Sequence, residues 1–289
     1  MTLTNMRIAK INSGSGLLTA NVFENSSATR TLVIASATGV RQSYYRKFAE
    51  YIASKGINVI TFDYLGIGDS LTQPIKQLSN NTEDWARKDL ESIINYVVGL
   101  YPNDKLSLLG HSIGGQLIGL APSSLKADKI VLVAAQSGYW KLWRGFGRAR
   151  LWFNWHILIP ALTGMFGYLP SKRITAMENL PKNVARQWSR WGRKRDYLLS
   201  EISITSTYFN KITAPLIAYS IEDDKLGAKE AVDWITGQYI NALAKSVHLS
   251  PSHFGVDRIG HFGIFKERFR DSLWPMLLHE IGKNDISIQ

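Results

Sequence analysis

The sequence predicts an α/β protein: a mainly parallel sheet with helices on both faces. Three observations predict it. Short, uncharged and mostly apolar runs such as residues 31–36 and 58–62 alternate with segments whose apolar residues recur at helical spacing. Gly110-His111-Ser112-Ile113-Gly114 joins one such run to a helix-compatible run carrying Leu117, Ile118 and Leu120. The chain has 289 residues, 45% hydrophobic and 20% charged, enough for one large domain with an insertion or for two small ones.

The elements follow in order. Residues 6–12 and 17–24 alternate around Ser13-Gly14-Ser15-Gly16, as an antiparallel hairpin requires. Residues 31–36 (TLVIAS) are a continuous apolar run, the mark of a strand buried on both faces. Tyr45, Phe48, Ala49 and Ile52 then sit at helical spacing, and Gly56 stops that helix. Residues 58–62 form the next buried strand; Asp63 and the loop Gly66-Ile67-Gly68-Asp69-Ser70 follow. Asn81 or Thr82 caps a helix with Glu83 and Asp84 in its first turn. Its buried stripe is Ala86, Leu90, Ile93, Ile94 and Val97, and Pro102 lies past its end. A strand runs to Gly110 and the serine turn. Residues 129–135 (KIVLVAA) and 215–220 (PLIAYS) are further buried strands, 230–235 a helix, and 242–249 the final strand. Phe262, Phe265 and Phe269 mark a last helix, kinked or ended near Pro275.

Ligands in such sheets gather at the carboxyl ends of the strands. The loops to search are therefore those after Ser36, Phe62, Gly110, Ala135, Ser220 and Leu249. Ser112 stands in the strand–turn–helix setting of a G-x-S-x-G elbow. Its hydroxyl can leave the top of the sheet only through a tight, strained turn, so side chains at 110 and 114 would collide with their neighbours. The helix that follows points its first amides at the serine, which favours a developing oxyanion. A serine alone is a weak nucleophile and needs a base with an orienting acid. Glu222, Asp223 and Asp224 follow PLIAYS, and spacing favours Asp224 over Asp223. His261 ends a glycine-flanked loop after the final strand and is preferred as base over His253, four residues past that strand. His248 lies inside the strand and reads as a core residue; His111 should point away from the elbow. The order serine, acid, histidine is one known triad order. The amides of Thr38 and Ile113 are the candidate oxyanion hole.

These residues carry a resemblance. Gly110-His111-Ser112-Ile113-Gly114-Gly115, Asp63-Tyr64-Leu65-Gly66-Ile67-Gly68-Asp69-Ser70, the acids at 223–224 and Gly260-His261-Phe262-Gly263 resemble the α/β-hydrolase-fold serine hydrolases, of the lysophospholipase and S33 serine-aminopeptidase kind. The likeness covers about residues 31–135 and 215–279. It implies an eight-stranded sheet, Ser112, Asp224 and His261 as triad, and a helical cap inserted at residues 137–205 between core segments 1–136 and 206–289. The chain departs from the pattern in three places. The usual His-Gly after the third strand reads Ser36-Ala37, Leu65 replaces a common arginine, and Ala228 stands where a proline follows the acid.

The insertion is compositionally distinct. Residues 137–200 hold twelve Lys/Arg against two acids, nearly all of the chain's net charge of +11, and six of its nine tryptophans. Residues 151–170 carry no formal charge, a length that could span a bilayer. Two prolines, two glycines, Asn154 and His156 argue instead for a cap over an apolar pocket. Residues 181–198 read as an amphipathic helix with Val184, Trp188, Trp191 and Leu198 on one side. Trp140, Trp188 and Trp191 are the candidate substrate-binding residues. The expected partner is a small acyl substrate, with an anionic lipid or membrane surface as a further partner of the basic cap; no nucleic-acid module is present. The absence of cysteine rules out disulfides and thiolate metal sites, and the scattered histidines suggest neither metal nor cofactor. Residues 1–20 lack a basic start followed by an apolar core, so a cytoplasmic location is expected. The expected activity is hydrolysis of an ester, thioester or related acyl bond. The alternative is a non-catalytic relative that binds a lipid, an acyl ligand or a protein.

Overall fold

The computed structural model describes residues 5–282. Residues 1–4 and 283–289, the outer ends of the expected core segments and of the stretch read for a signal, lie outside the described residues. Eight strands form one sheet: β1 (Asn5–Asn12), β2 (Leu17–Glu24), β3 (Arg30–Ala35), β4 (Asn58–Phe62), β5 (Lys105–His111), β6 (Lys129–Val133), β7 (Leu216–Ile221) and β8 (Ala244–Leu249). Their order in space is β1-β2-β4-β3-β5-β6-β7-β8. β2 pairs antiparallel with β1 and β4, and every pairing from β4 to β8 is parallel. This is the mainly parallel eight-stranded sheet that the resemblance implies.

Position in the sheet explains the strand sequences. β3, β4, β6 and β7 are buried along their whole length, which is why they read as unbroken apolar runs. β8 is an edge strand, largely exposed, and carries Lys245, Ser246 and His248. His248 is thus not the core residue expected: it is exposed, with Nδ1 2.7 Å from the Ser220 hydroxyl.

Helices cover both faces. α1 (Arg46–Ala53) and α7 (Leu273–Gly282) close one core through Phe48, Ile52, Trp274 and Leu277. α2 (82–100), α3 (Ile113–Ile118) and α6 (Lys229–Thr236) close the other through Ile94, Leu117 and Val232. α2 begins with a reciprocal cap. Asn81 Oδ1 accepts the Asp84 amide and Asp84 Oδ2 accepts the Asn81 amide, both at 2.9 Å. Its middle, Trp85–Leu90, widens to a π turn. The end of the chain departs from the expected single helix. One turn at Gly260–Gly263 and a 3₁₀ turn at Glu267–Phe269 precede α7. Pro275 falls in the first turn of α7, where its missing N–H leaves no intrahelical bond unmade.

Between β6 and β7 the chain leaves the sheet. A helix, α4 (145–166), runs as Gly145–Phe153, a π turn at Asn154–Leu158, and Ile159–Phe166. Tyr168–Leu169 and Leu180–Pro181 form a small antiparallel ribbon, and α5 (Lys182–Arg193) follows. α5 stops at Arg193, short of the expected 198, and Tyr197 turns the chain with φ 45°. Leu151, Trp155, Ile159 and Thr163 of α4 are buried, and Trp155 packs edge-on to Trp188 of α5 at 4.7 Å. No helix among the described residues is long and apolar enough to cross a membrane.

The loop after β4 is fixed by buried acids. Asp63 accepts the amides of Gln42 (2.7 Å) and Asp69 (3.0 Å), and a Cβ at Gly68 would lie 2.4 Å from its Oδ2. Asp89, from the π turn of α2, accepts the Leu65 amide at 2.8 Å, and the buried Tyr64 hydroxyl has no partner among the described residues. Burial pushes the Asp89 carboxyl up to about 7, with Asp84 adding to the rise. The folded chain therefore keeps a proton there between about pH 4 and 7 that the unfolded chain releases. The stability tied to that proton is present below about pH 4 and is lost as pH rises through 7. Urea unfolding at pH 5 and pH 8 should show Asp89→Asn losing less stability over this interval than the parent chain. Equal losses would place the pH dependence on other groups.

Candidate active site

Ser112 sits between β5 and α3 with φ 54° and ψ −121°, a left-handed conformation that L-residues avoid. Its neighbours show why the flanking positions are glycine. A Cβ at Gly114 would lie 2.1 Å from the Ala35 carbonyl oxygen, and one at Gly110 2.3 Å from the Gly115 Cα. The Ser112 amide donates to the Val133 carbonyl of the adjacent β6 at 2.9 Å, tying the turn to the sheet.

The acids after β7 divide two tasks. Asp224 Oδ2 accepts Nδ1–H of His261 at 2.7 Å, and its Oδ1 accepts the Leu226 amide at 2.7 Å. A carboxylate can only accept, so Nδ1 carries the proton and Nε2 is left with its lone pair. Gly227 is required beside this pair, since a Cβ there would lie 2.6 Å from Asp224 Oδ2. Asp223 instead accepts the amides of Gly260 (2.9 Å) and Ile259 (3.2 Å), fixing the loop that delivers His261. Gly260 has φ 65°, open to glycine at little cost. Ser112, Asp224 and His261 stand in the loops after β5, β7 and β8; Asp224 and His261 are paired, while among the described residues no hydrogen bond joins the Ser112 hydroxyl to His261. All three are nearly enclosed; Ser112 is 6% exposed. His253 lies exposed on a surface turn, and His279 is exposed on α7.

His111 packs against His261, ring centroids 5.2 Å apart. Its Nε2–H donates to the His261 carbonyl at 2.9 Å, so Nδ1 must accept, and it does so from the Tyr45 hydroxyl at 2.8 Å. Tyr45 in turn accepts the Ala37 amide at 3.0 Å. Burial holds the His111 imidazole well below the ordinary histidine range and so neutral. A single buried chain of hydrogen bonds therefore joins the loop after β3 to the backbone of His261. Tyr44 adds a hydrogen bond to the Phe262 carbonyl.

Thr38 is buried in the loop after β3, and neither its amide nor that of Ile113 at the start of α3 donates within the described residues. The Ser112 hydroxyl rests against a residue that sequence reading had not singled out. Gln136, just past β6, places Nε2 3.4 Å and Oε1 3.5 Å from Oγ, and its Nε2 also donates to the Leu226 carbonyl. The network continues outward: Gln116 Nε2 donates to the Gln136 carbonyl (2.5 Å), Tyr197 to Gln116 Oε1 (2.9 Å), and Trp188 Nε1 to the Tyr197 oxygen (3.0 Å). The strand-end rule pointed to the loop after Ala135, but nothing in the local sequence marks Gln136 itself.

Of the candidate substrate-binding tryptophans, Trp188 is half-buried and joined to this network, and Trp140 is half-buried against His156. Trp191 is wholly buried, edge-on to Tyr197 at 5.8 Å. It is a core residue and not a lining one, because its helix face packs inward. Beside the His261–Asp224 pair lies a cleft of about 370 Å³ bordered by Lys225, Arg258, Lys266 and Arg268. A second, of about 440 Å³, lies at the opposite end of the strands, where Glu24 and Asp104 are already bonded to Tyr101 and to Thr31 and Asn58. Among the described residues no group of three or more His, Asp or Glu side chains is arranged to hold a metal.

The pattern of the alpha/beta hydrolase family matches residues 32–267. No curated protein matches by sequence. Among solved structures, the fold is similar to an esterase of Pyrococcus furiosus (15% identity, 96% of this chain and 91% of that one, TM-score 0.63). It is similar to Est1E of Butyrivibrio proteoclasticus, solved with ferulic acid bound (14% identity, 95% and 100%, TM-score 0.62). It is also similar to a thioesterase domain from the curacin biosynthetic pathway (15% identity, 97% and 100%, TM-score 0.57). With the family pattern spanning most of the chain, and the sheet order and serine elbow in agreement with it, this protein belongs to the alpha/beta hydrolase family.

Proposed function

We propose that the protein is a serine hydrolase that cleaves an ester, thioester or related acyl bond through an acyl-Ser112 intermediate. The observation that carries this is the Asp224–His261 hydrogen bond. It supports His261 as the base, because a histidine that donates Nδ1–H to a carboxylate keeps Nε2 free to take the serine proton. In the reaction, Ser112 Oγ turns from Gln136 toward His261 Nε2, which removes its proton as Oγ attacks the acyl carbon. Loose contacts at a serine in the ligand-free state commonly tighten once substrate binds. The amides of Thr38 and Ile113 receive the oxyanion. His261 then protonates the leaving alcohol, thiol or amine, and water repeats the sequence to free the acid. Asp224 holds the tautomer and stabilises the imidazolium.

The esterase and thioesterase folds support the general reaction, and the motif likeness to lysophospholipases and S33 serine-aminopeptidases supports an apolar acyl substrate. Residues 137–205 act as a cap in this reading, with Trp140 and Trp188 as the residues that meet the acyl part of the substrate. Gln136 holds the serine at rest and releases it when substrate binds.

Steady-state kinetics on a series of acyl esters and thioesters test the roles. Asp224→Asn should lower kcat by about 10³–10⁴-fold, and Asp223→Asn by no more than about tenfold, the loss of one hydrogen bond. Ser112→Ala and His261→Ala should each abolish measurable turnover, with the double variant little worse. A reversed ranking of the two aspartates would assign the acid to Asp223. Turnover that persists in Ser112→Ala would remove the acyl-enzyme mechanism, and no turnover of any ester by the parent chain would favour a binding role.

The buried chain through His111 makes a separate prediction. His111→Phe removes the acceptor of the Tyr45 hydroxyl and the donor to the His261 carbonyl. It should cost about 2 kcal/mol of unfolding free energy and lower kcat while KM holds, since it disturbs the base and not the pocket. Urea unfolding and the kcat–KM split check this; an unchanged kcat would mean that His111 only packs.

A further inference from the structure

We propose that the outer face of α4 docks on an anionic lipid surface. α4 is apolar on both its buried and its exposed side. The inner side, Leu151, Trp155, Ile159 and Thr163, is buried. The outer side carries Phe146 (82% exposed), Phe153, Ile157 and Met165 (75% exposed), with exposed Ala149 and Ala161 between them. These positions recur every three or four residues and form one stripe roughly 30 Å long. The π turn at Asn154–Leu158 keeps the two halves in phase, since its wider turns offset the drift of a regular helix. Trp152 stands exposed beside the stripe, a ring suited to a membrane–water boundary. A solvated helix would put polar residues here, yet residues 151–170 contain no formal charge.

Cations flank both ends of the stripe. Lys141, Arg144 and Arg148 lie exposed at the start of α4, and Lys172 and Arg173 beyond its end. Few acids answer them. Arg144 reaches Glu230 only at 3.9 Å, Arg148 donates to the carbonyls of Trp143 and Lys141, and Arg173 lies over the Phe166 ring at 5.5 Å. Glu178, one of the two acids in residues 137–200, is shared by Arg41 and Lys172. An apolar stripe rimmed by cations is the pattern of a helix lying in the plane of a membrane with acidic headgroups. A second copy of the chain is a poor occupant, because it would bring two strongly cationic segments face to face. Spanning is excluded by the inner face: Trp155 Nε1 is bonded to the Gly138 carbonyl and its own carbonyl to Ser189 and Arg193.

Co-sedimentation of the full chain with vesicles tests this without any turnover, so it stands or falls apart from the catalytic reading. Vesicles of phosphatidylcholine with one-third phosphatidylserine should bind the chain at least tenfold more tightly than phosphatidylcholine alone, and 0.5 M salt should remove the difference. Phe146→Ser, Phe153→Ser and Met165→Ser together should abolish binding; Lys141→Gln, Arg144→Gln and Arg148→Gln should weaken it on anionic vesicles alone. All six side chains are surface groups, and unchanged circular dichroism and thermal midpoints confirm that the variants fold. Equal partition onto neutral and anionic vesicles, or binding undiminished by the three serine changes, overturns the proposal. A dimer in light scattering that the serine changes dissolve, with no vesicle binding, assigns the face to self-association instead.

Discussion

Holding Ser112 at φ 54° costs on the order of 1–3 kcal/mol, and much of the fold around it serves to keep that residue there. The carbonyl of Ala35 and the Cα of Gly115 crowd positions 114 and 110 so closely that only glycine fits. The Ser112 amide is tied to β6, the helix that follows is buried on every side, and Gln136 reaches across from the next strand end. The strain is thus opposed by the burial of α3 and the bond to β6, and it leaves the hydroxyl at the strand ends that also carry Asp224 and His261.

Convergence depends on loops that are fixed by backbone hydrogen bonds more than by side-chain packing. Asp223 grips the amides before His261, His111 holds the carbonyl after the ring, and Asp224 sets the ring itself. Each contact uses a group that would otherwise be a buried polar atom without a partner, so the bonds that hold the candidate site also satisfy the core. The chain from Ala37 through Tyr45 and His111 to His261 also links the candidate oxyanion loop to the candidate base.

The parts of this arrangement that leave a local mark were legible in the sequence. The serine elbow, the buried strands and the acids at the end of β7 follow from glycine sterics, apolar runs and strand-end position. The contacts made at long range were not. Trp191 and Trp188 lie three residues apart on one helix, and only packing decides that the first is core and the second joins the polar network. His248 read as a core residue because strand sequence does not say which strand is the edge. Pro275 read as a helix end because its place in a first turn depends on where the helix starts. Gln136, Gln116 and Tyr197 come together only through the crossing of three separate segments. The exposed side of α4 was hidden for the same reason: an uncharged run does not reveal which of its residues face outward.

The central claim is that Ser112 is a nucleophile made reactive by His261 and Asp224. The most direct measurement is intact-mass spectrometry of the folded chain treated with an alkyl fluorophosphonate, with peptide mapping of the adduct. One stoichiometric adduct should form, located on Ser112, and far more slowly in His261→Ala. An unmodified chain under conditions that label a control serine hydrolase, or an adduct on another residue, would contradict it.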